Sequence, residues 1–161
     1  MALGDNTLRS AAGNSQRGRN PYIVQTTLNW ATALSDKGGA LAAADVVPVI
    51  AVPKGTMILN AGIEVDTATD GSTFTVDLGT GVDPDVFVDG FDATSAAAVV
   101  AQNPAAYQPV MAVADDNIDV TIATLSGGAV TSGKFRIWAV LMDCTDIGDT
   151  AANEVDRDTL A

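Results

Sequence analysis

The sequence contains no histidine and a single cysteine, Cys144, in 161 residues. Ser-His-Asp and Cys-His catalysis both require histidine, and most zinc sites use it as a ligand. One cysteine forms no disulfide within the chain, which suits a cytosolic or virion-borne protein better than a secreted disulfide scaffold. The glycine-rich stretch LGTGVD (78–83) lacks the spacing of a nucleotide-binding loop. We therefore predict that the protein is not an enzyme; a hydrolase that uses carboxylates alone is the catalytic alternative.

Long apolar runs are also missing from the sequence. No stretch approaches the 18 or so apolar residues of a membrane span, and residues 1–20 lack the apolar region of a signal peptide. Helix signals are weak: residues 38–45 and 94–107 predict only a turn or two of helix each. The length fits one domain with a sizeable core.

Basic residues are scarce. Eight lysines and arginines stand against twenty aspartates and glutamates, which gives a net charge of −12. Residues 1–20 hold three arginines and one aspartate, a charge of +2, whereas residues 21–161 hold five basic and nineteen acidic residues, a charge of −14. An acidic body repels the phosphates of nucleic acid, so we expect no direct nucleic-acid binding.

The two ends of the chain differ in composition from the region between them. Residues 1–20 are rich in glycine, serine, asparagine and arginine, which predicts a flexible basic arm. Residues 146–161 predict an acidic tail with little order. Arg9, Arg17 and Arg19 are candidates for contact with an acidic surface of another protein, because guanidinium groups fork onto carboxylates. A solvated arm without a partner is the alternative.

Apolar and polar side chains alternate through residues 21–145, the pattern of half-buried antiparallel strands. The side chains that share one face are Tyr22, Val24, Thr26, Leu28 and Trp30; Met57, Leu59, Ala61, Ile63 and Val65; Phe74, Val76 and Leu78; Ile118, Val120 and Ile122; and Phe135, Ile137, Ala139 and Leu141. Two further strands, at 45–53 and 107–114, contain proline, which favours an edge or a strand start. The sequence predicts an all-β, antiparallel β-sandwich that is jelly-roll-like.

The last predicted strand, KFRIWAVLM (134–142), is apolar on both faces after Arg136. Its second face carries Trp138, Val140 and Met142. A strand of this kind is central in its sheet or lies at a subunit contact. We predict that these three side chains form a self-association surface. Both tryptophans, Trp30 and Trp138, are assigned to strands and to the core or an interface.

Aspartates are concentrated in the stretch FTVDLGTGVDPDVFVDGFD (74–92). Asp83, Asp85 and Asp89 offer hard oxygen ligands beside a glycine, which calcium prefers. The spacing of an EF-hand loop fails, because Phe87 stands where a third ligand is needed. Asp-Pro and Asp-Gly pairs also form turns on their own account. We favour an aspartate-rich surface turn without a cofactor and keep calcium as the alternative.

Four stretches resemble small structural proteins of tailed bacteriophages, above all the head decoration (cement) proteins of marine phages and cyanophages. They are DVVPVIAVPKGT (45–56), AGIEV (61–65) with the Asp-Gly turn that follows, DLGTGVDPDVFVDG (77–90) and GKFRIWAVLMD (133–143). Together they span roughly residues 22–145, and their order and spacing carry the likeness more than any one of them.

The resemblance implies a homotrimeric sandwich, made in the host cytoplasm and fixed to the outer surface of the capsid, where it clamps adjacent major capsid subunits. The expected partners are the major capsid protein, through Arg9, Arg17 and Arg19, and further copies of the chain, with no membrane contact. The resemblance brings no catalytic motif. Two alternatives stay open: a phage tail, neck or head-fibre sandwich, and a calcium-dependent receptor- or glycan-binding module.

Overall fold

The computed structural model describes residues 20–94, 100–101 and 109–144. Its elements, in chain order, are β1 (Tyr22–Asn29), α1 (Trp30–Lys37), β2 (Val46–Val52), β3 (Thr56–Thr67), β4 (Thr73–Thr80), β5 (Val88–Asp92), β6 (Val100–Ala101), β7 (Val110–Met111), β8 (Asp116–Ser126) and β9 (Lys134–Asp143). The predicted arm and tail lie outside the described residues, apart from Asn20.

The strands form two antiparallel sheets that pack face to face. The first has the order β1–β9–β3, with the two-residue strands β6 and β7 both paired to the other edge of β3. The second has the order β2–β8–β4–β5. The predicted β-sandwich is confirmed, and the strand order is compatible with a jelly-roll-like arrangement. As predicted, β9 is central in its sheet and the proline-containing β2 lies at an edge.

Most predicted inward positions are buried, but β3 departs from strict alternation. The pairs Ile58–Leu141 and Asn60–Val140 are consecutive on β9 and two residues apart on β3, so Leu59 forms a β-bulge. The bulge shifts the side-chain pattern by one. Ile58 is buried, and the prediction that Met57 and Leu59 share a face with Ala61, Ile63 and Val65 is wrong. After the bulge the predicted alternation is correct up to Val65.

Trp30 begins α1 and does not lie in a strand as predicted. The side chain of Asn29 caps the helix by accepting a hydrogen bond from the Ala31 N–H at 3.0 Å, and Gly38, with φ of 68°, ends it in the left-handed region. Asn29 and Gly38 are both recognisable helix caps in the sequence, but the alternating pattern before them favoured a strand. Neither of the two predicted helices forms where the structure tests it: residues 38–45 are turns and loop that follow α1, and residues 100–101 form β6.

The indole of Trp30 is fully buried between the sheets. It packs edge-to-face on Phe74 of β4, with ring centroids 5.0 Å apart, and on Phe135 of β9, at 5.4 Å. Each such contact adds about 0.5–1.5 kcal/mol to the burial of the rings. The backbone N–H of Trp30 donates to the Gly133 carbonyl at 3.0 Å. Gly133 has φ of 129° and lies against Trp30, so this position requires glycine.

Asp70 fastens the loop before β9 to the turn between β3 and β4. Its carboxylate accepts hydrogen bonds from the N–H and the hydroxyl of Thr131 and from the N–H of Ser132. The side-chain bond from Thr131, followed by the two backbone bonds, holds the pKa of Asp70 well below its usual range. The ionised form is therefore the one that stabilises the fold.

The outer face of the second sheet is acidic. Ile118 and Val120 point inward, so Asp119 between them points outward, where it is only 9% exposed. Its cross-strand neighbours are Pro48 and Gly79, and the backbone of residues 83–84 folds over Gly79. Burial raises the pKa of Asp119, and the charge of Asp116 raises it further.

Asp70→Asn should lower the melting temperature at neutral pH. The amide is uncharged and has one accepting oxygen, so it cannot replace the carboxylate in all three hydrogen bonds. A carboxyl with a lowered pKa stabilises the fold above its ordinary value of 3.8, and that contribution is lost as the pH falls through the folded-state pKa. The difference from wild type should therefore shrink below 3.8. Thermal melts across the pH range measure it, with the exposed Asp66→Asn as the matched control. Equal melting temperatures of Asp70→Asn and wild type at neutral pH would contradict a stabilising role for the hydrogen bonds of Asp70.

Asp119→Asn should have the opposite effect and raise the melting temperature at neutral pH. A carboxyl whose pKa is raised by burial destabilises the fold once the pH passes its ordinary value of 3.8, and the amide stays neutral. The gain should vanish in acid, where the wild-type carboxyl is also neutral. The same melts and the same control apply. A lower melting temperature for this variant at neutral pH would show that the carboxylate makes a favourable contact.

Candidate functional site

The outer face of the first sheet carries a cluster of large apolar side chains. On β9, Trp138, Val140 and Met142 alternate with the buried core positions and point outward, as predicted. Residues paired directly across antiparallel strands share a face. We call the resulting surface the apolar face; its members are Ile23, Met57, Met111, Trp138, Val140 and Met142.

Exposure within the apolar face increases toward its margins. The three β9 side chains and Met57 are half-buried, whereas Ile23 is 71% exposed and Met111 is 41% exposed. An ion pair of Arg136 with Glu64, 2.7 Å long, borders the face on the same strands. A contiguous apolar surface with a polar rim is typical of a protein–protein contact.

A second apolar feature lies at the end of the sandwich where both described termini meet. Tyr22 pairs with Leu141, and the N–H of Cys144 donates to the carbonyl of Gly55 at 2.8 Å, so the chain enters and leaves beside the β2–β3 turn. A cavity of about 450 Å³ opens here between residues 80–82 and 110–117. We call it the end cavity.

The end cavity has apolar walls and an acidic border. Val52 and Ile58 are buried at its base, while Val82 and Val113 are 87% and 78% exposed at its rim. Met111 belongs both to the cavity and to the apolar face, so the two surfaces are continuous. The carboxylates of residues 115 and 116 border the cavity and also a second, shallower one of about 410 Å³.

The two border carboxylates are fixed by local hydrogen bonds. Asp115 accepts from the N–H of Lys54 at 2.9 Å, and Asp116 accepts from the N–H of Asn117 at 2.8 Å. The ion pairs that the described part of the chain forms are Lys37–Asp45 and Arg136–Glu64. Neither border carboxylate is therefore neutralised by a described lysine or arginine.

The aspartate stretch consists of most of β4, a surface loop at residues 81–87 and β5, so the favoured surface turn lies between the two strands. The Thr80 hydroxyl accepts from the N–H groups of Val82 and Asp83, both at 3.3 Å, and the Thr80 N–H donates to the Asp83 carbonyl. Phe87, fully buried, anchors the loop to the core. The Asp83 carboxyl also accepts a hydrogen bond from the backbone of Asp85, so the expected aspartate turn forms and the Thr80 hydroxyl adds to it.

The calcium candidates are not brought together as a cation site. A hydrogen bond with the Asp85 carboxyl raises the pKa of Asp83. Burial raises the pKa of Asp77, and the charges of Asp89 and Asp85 raise it further. Among the described residues, no group of three or more histidine, cysteine, aspartate or glutamate side chains is arranged to hold a metal ion. The prediction of no cofactor, with calcium as the alternative, stays untested.

The structure adds residues that sequence reasoning missed. Met57 and Met111 join the predicted Trp138, Val140 and Met142 only because β3 bulges and β7 pairs with it, which no local pattern encodes. The end cavity was missed entirely, since it forms between turns distant in sequence. The predicted contact residues Arg9, Arg17 and Arg19 lie outside the described residues.

Within residues 20–94, 100–101 and 109–144, no helix is long and apolar enough to cross a membrane. No family model and no curated protein sequence matches the chain.

Solved structures with the same fold come from phage capsids. The chain is similar to a chain of the cyanophage Pam1 capsid asymmetric unit, with a TM-score of 0.60 and 16% identity over 88% of this chain and 97% of that one. It is also similar to a chain of the capsid of Ralstonia phage GP4, with a TM-score of 0.55 and 16% identity over 79% of this chain and 86% of that one. At these identities the likeness establishes the fold, and at that level the resemblance inferred from the sequence is confirmed.

Proposed function

We propose that this chain is a virion structural protein that decorates the outside of a phage capsid and clamps adjacent major capsid subunits as a homotrimer. The fold it shares with chains of phage capsids supports a structural role in the virion. The observation that carries the proposal is the contrast between its two outer faces. One is apolar over six large side chains, and the other is acidic around Asp77 and Asp119.

The apolar face supports self-association. Aromatic and methionine side chains are enriched at the centres of protein interfaces. A trimer would bury Trp138, Val140 and Met142 against the equivalent faces of two neighbours, with Ile23 and Met111 nearer the rim. Each standard contact of this kind buries about 1,200–2,000 Å² in total.

The acidic face supports placement outside the shell. Net charge in the body of the protein is strongly negative, and like charge keeps such a surface away from packaged DNA and from other acidic proteins. Contact with the major capsid protein would then fall to the basic arm, with Arg9, Arg17 and Arg19 as its charged anchors.

Self-association is tested by Val140→Lys, which places a charge in the middle of the apolar face. We expect wild-type protein to have three times the 16.4 kDa chain mass in solution. The variant should dissociate, because a change at a central interface residue costs roughly 2 kcal/mol or more of association free energy. Light scattering on a sizing column measures both. Thr124→Lys, at an exposed position on the second sheet, is the matched control and should remain trimeric. A monomeric wild type would overturn the trimer in solution.

Capsid binding is tested with shells of the major capsid protein that lack this chain. Wild-type protein should sediment with the shells and raise their disruption temperature, and a chain with Arg9, Arg17 and Arg19 all changed to serine should bind more weakly. Because exposed ion pairs are screened, rising salt should remove the same difference. Unchanged binding and heat stability for the triple variant would exclude the arm as the anchor.

Calcium should have no role in the proposed function. An ion that binds only the folded state must raise its stability. Because we expect no such binding, the melting temperature should be the same with excess calcium and with chelator. Asp83→Asn combined with Asp85→Asn should likewise show no calcium response. A calcium-dependent rise that this double variant abolishes would favour the alternative, a calcium-dependent binding module.

A further inference from the structure

The end cavity lies close to the point where the chain enters the sandwich. Tyr22 pairs with Leu141, Leu141 pairs with Ile58, and Ile58 pairs with Val110. Ile58 and Val110 both line the cavity. Three strand spacings of about 4.8 Å separate the start of β1 from Val110, a distance of about 14 Å. Whatever precedes Tyr22 therefore begins next to this cavity.

The cavity favours an occupant that combines an apolar side chain with a positive charge. Val52 and Ile58 are buried at its base, and Val82 and Val113 at its rim are largely in solvent. Its border carries the carboxylates of Asp115 and Asp116, which no described cation neutralises. An apolar group in the cavity would leave water, and a guanidinium beside it would meet both carboxylates.

The chain itself contains a segment with this chemistry. Residues 1–19 hold three of the eight basic residues, and Leu8 immediately precedes Arg9. Two of the remaining cations, Lys37 and Arg136, are already ion-paired. Thirteen residues lead from Arg9 to Tyr22 and can span up to ~45 Å, three times the distance required.

We propose that the N-terminal segment, residues 1–19, folds back and docks in the end cavity of its own chain. Leu8 enters the space beside Val82 and Val113, and Arg9 lies against Asp115 and Asp116. Tethering places the segment at an effective concentration of about 1 mM, so an intrinsic dissociation constant near 0.1 mM keeps about nine segments in ten docked. The inference concerns the protein before assembly and does not depend on the proposed capsid role. If that role holds, the shell must displace the segment before its arginines are free to bind elsewhere.

The test uses cleavage of the full chain by trypsin, which cuts after arginine and lysine. Docking should protect the bond after Arg9, and Val113→Lys should accelerate that cleavage about tenfold, because it removes an apolar rim residue and adds a like charge. Val46→Lys is the matched control, since Val46 is 54% exposed but lies at the far end of β2, away from the cavity. Circular dichroism confirms that both variants are folded.

Each outcome decides the proposal. Faster cleavage in Val113→Lys and in Asp115→Asn with Asp116→Asn, but not in Val46→Lys, supports it. Equal rates in all variants overturn it, and so does protection that depends on protein concentration, which would place the segment on another copy. Release by salt alone, without any effect of Val113→Lys, also overturns it and indicates a contact with other acidic residues.

The single cysteine provides an independent measurement on the intact protein. Cys144 lies beside Gly55 at the same end of the sandwich. A nitroxide attached to it should broaden the amide resonances of residues 6–11, and Val113→Lys should restore them. Sharp resonances in the labelled wild type would contradict docking, whatever the outcome of capsid binding.

Discussion

The contact of Trp30 with Phe74 and Phe135 is the interaction on which the rest of this sandwich depends. One ring comes from each sheet and the third from the start of α1, so the cluster fixes the two layers to each other and to the β1–α1 junction. Gly133 is held against the same indole, and the loop before it is fastened by Asp70. Packing of this density transmits any change in one ring to both sheets.

The two sheets bury their inner faces against each other, so the features that distinguish this protein lie on its outer faces. The inner positions of β9 fill the core while three of its outer positions, Trp138, Val140 and Met142, belong to the apolar face, so one central strand contributes to both. The second sheet keeps Asp119 and Asp77 on its outer side at a cost in folding free energy, which their raised pKa values express.

The sequence was informative wherever one face of a strand meets the core. Alternation placed Phe74, Val76 and Leu78 correctly, because a two-residue period maps directly onto the pleat. It failed at Met57, where a bulge depends on pairing with β9, and at Trp30, where helix caps overrode the pattern. The outward trio on β9 was predictable from a strand apolar on both sides. The end cavity was not, since its walls come from turns that only the fold brings together.

Strand β2 ends the second sheet with Pro48 and with a register shift at the residue after it. Proline donates no backbone hydrogen bond, and an irregular edge offers a poor template for another strand. At this edge, backbone pairing that would join the second sheets of two copies into a continuous ribbon is thereby disfavoured. A contact made here falls to side chains, which can be matched to one partner, whereas an open backbone edge would accept any strand.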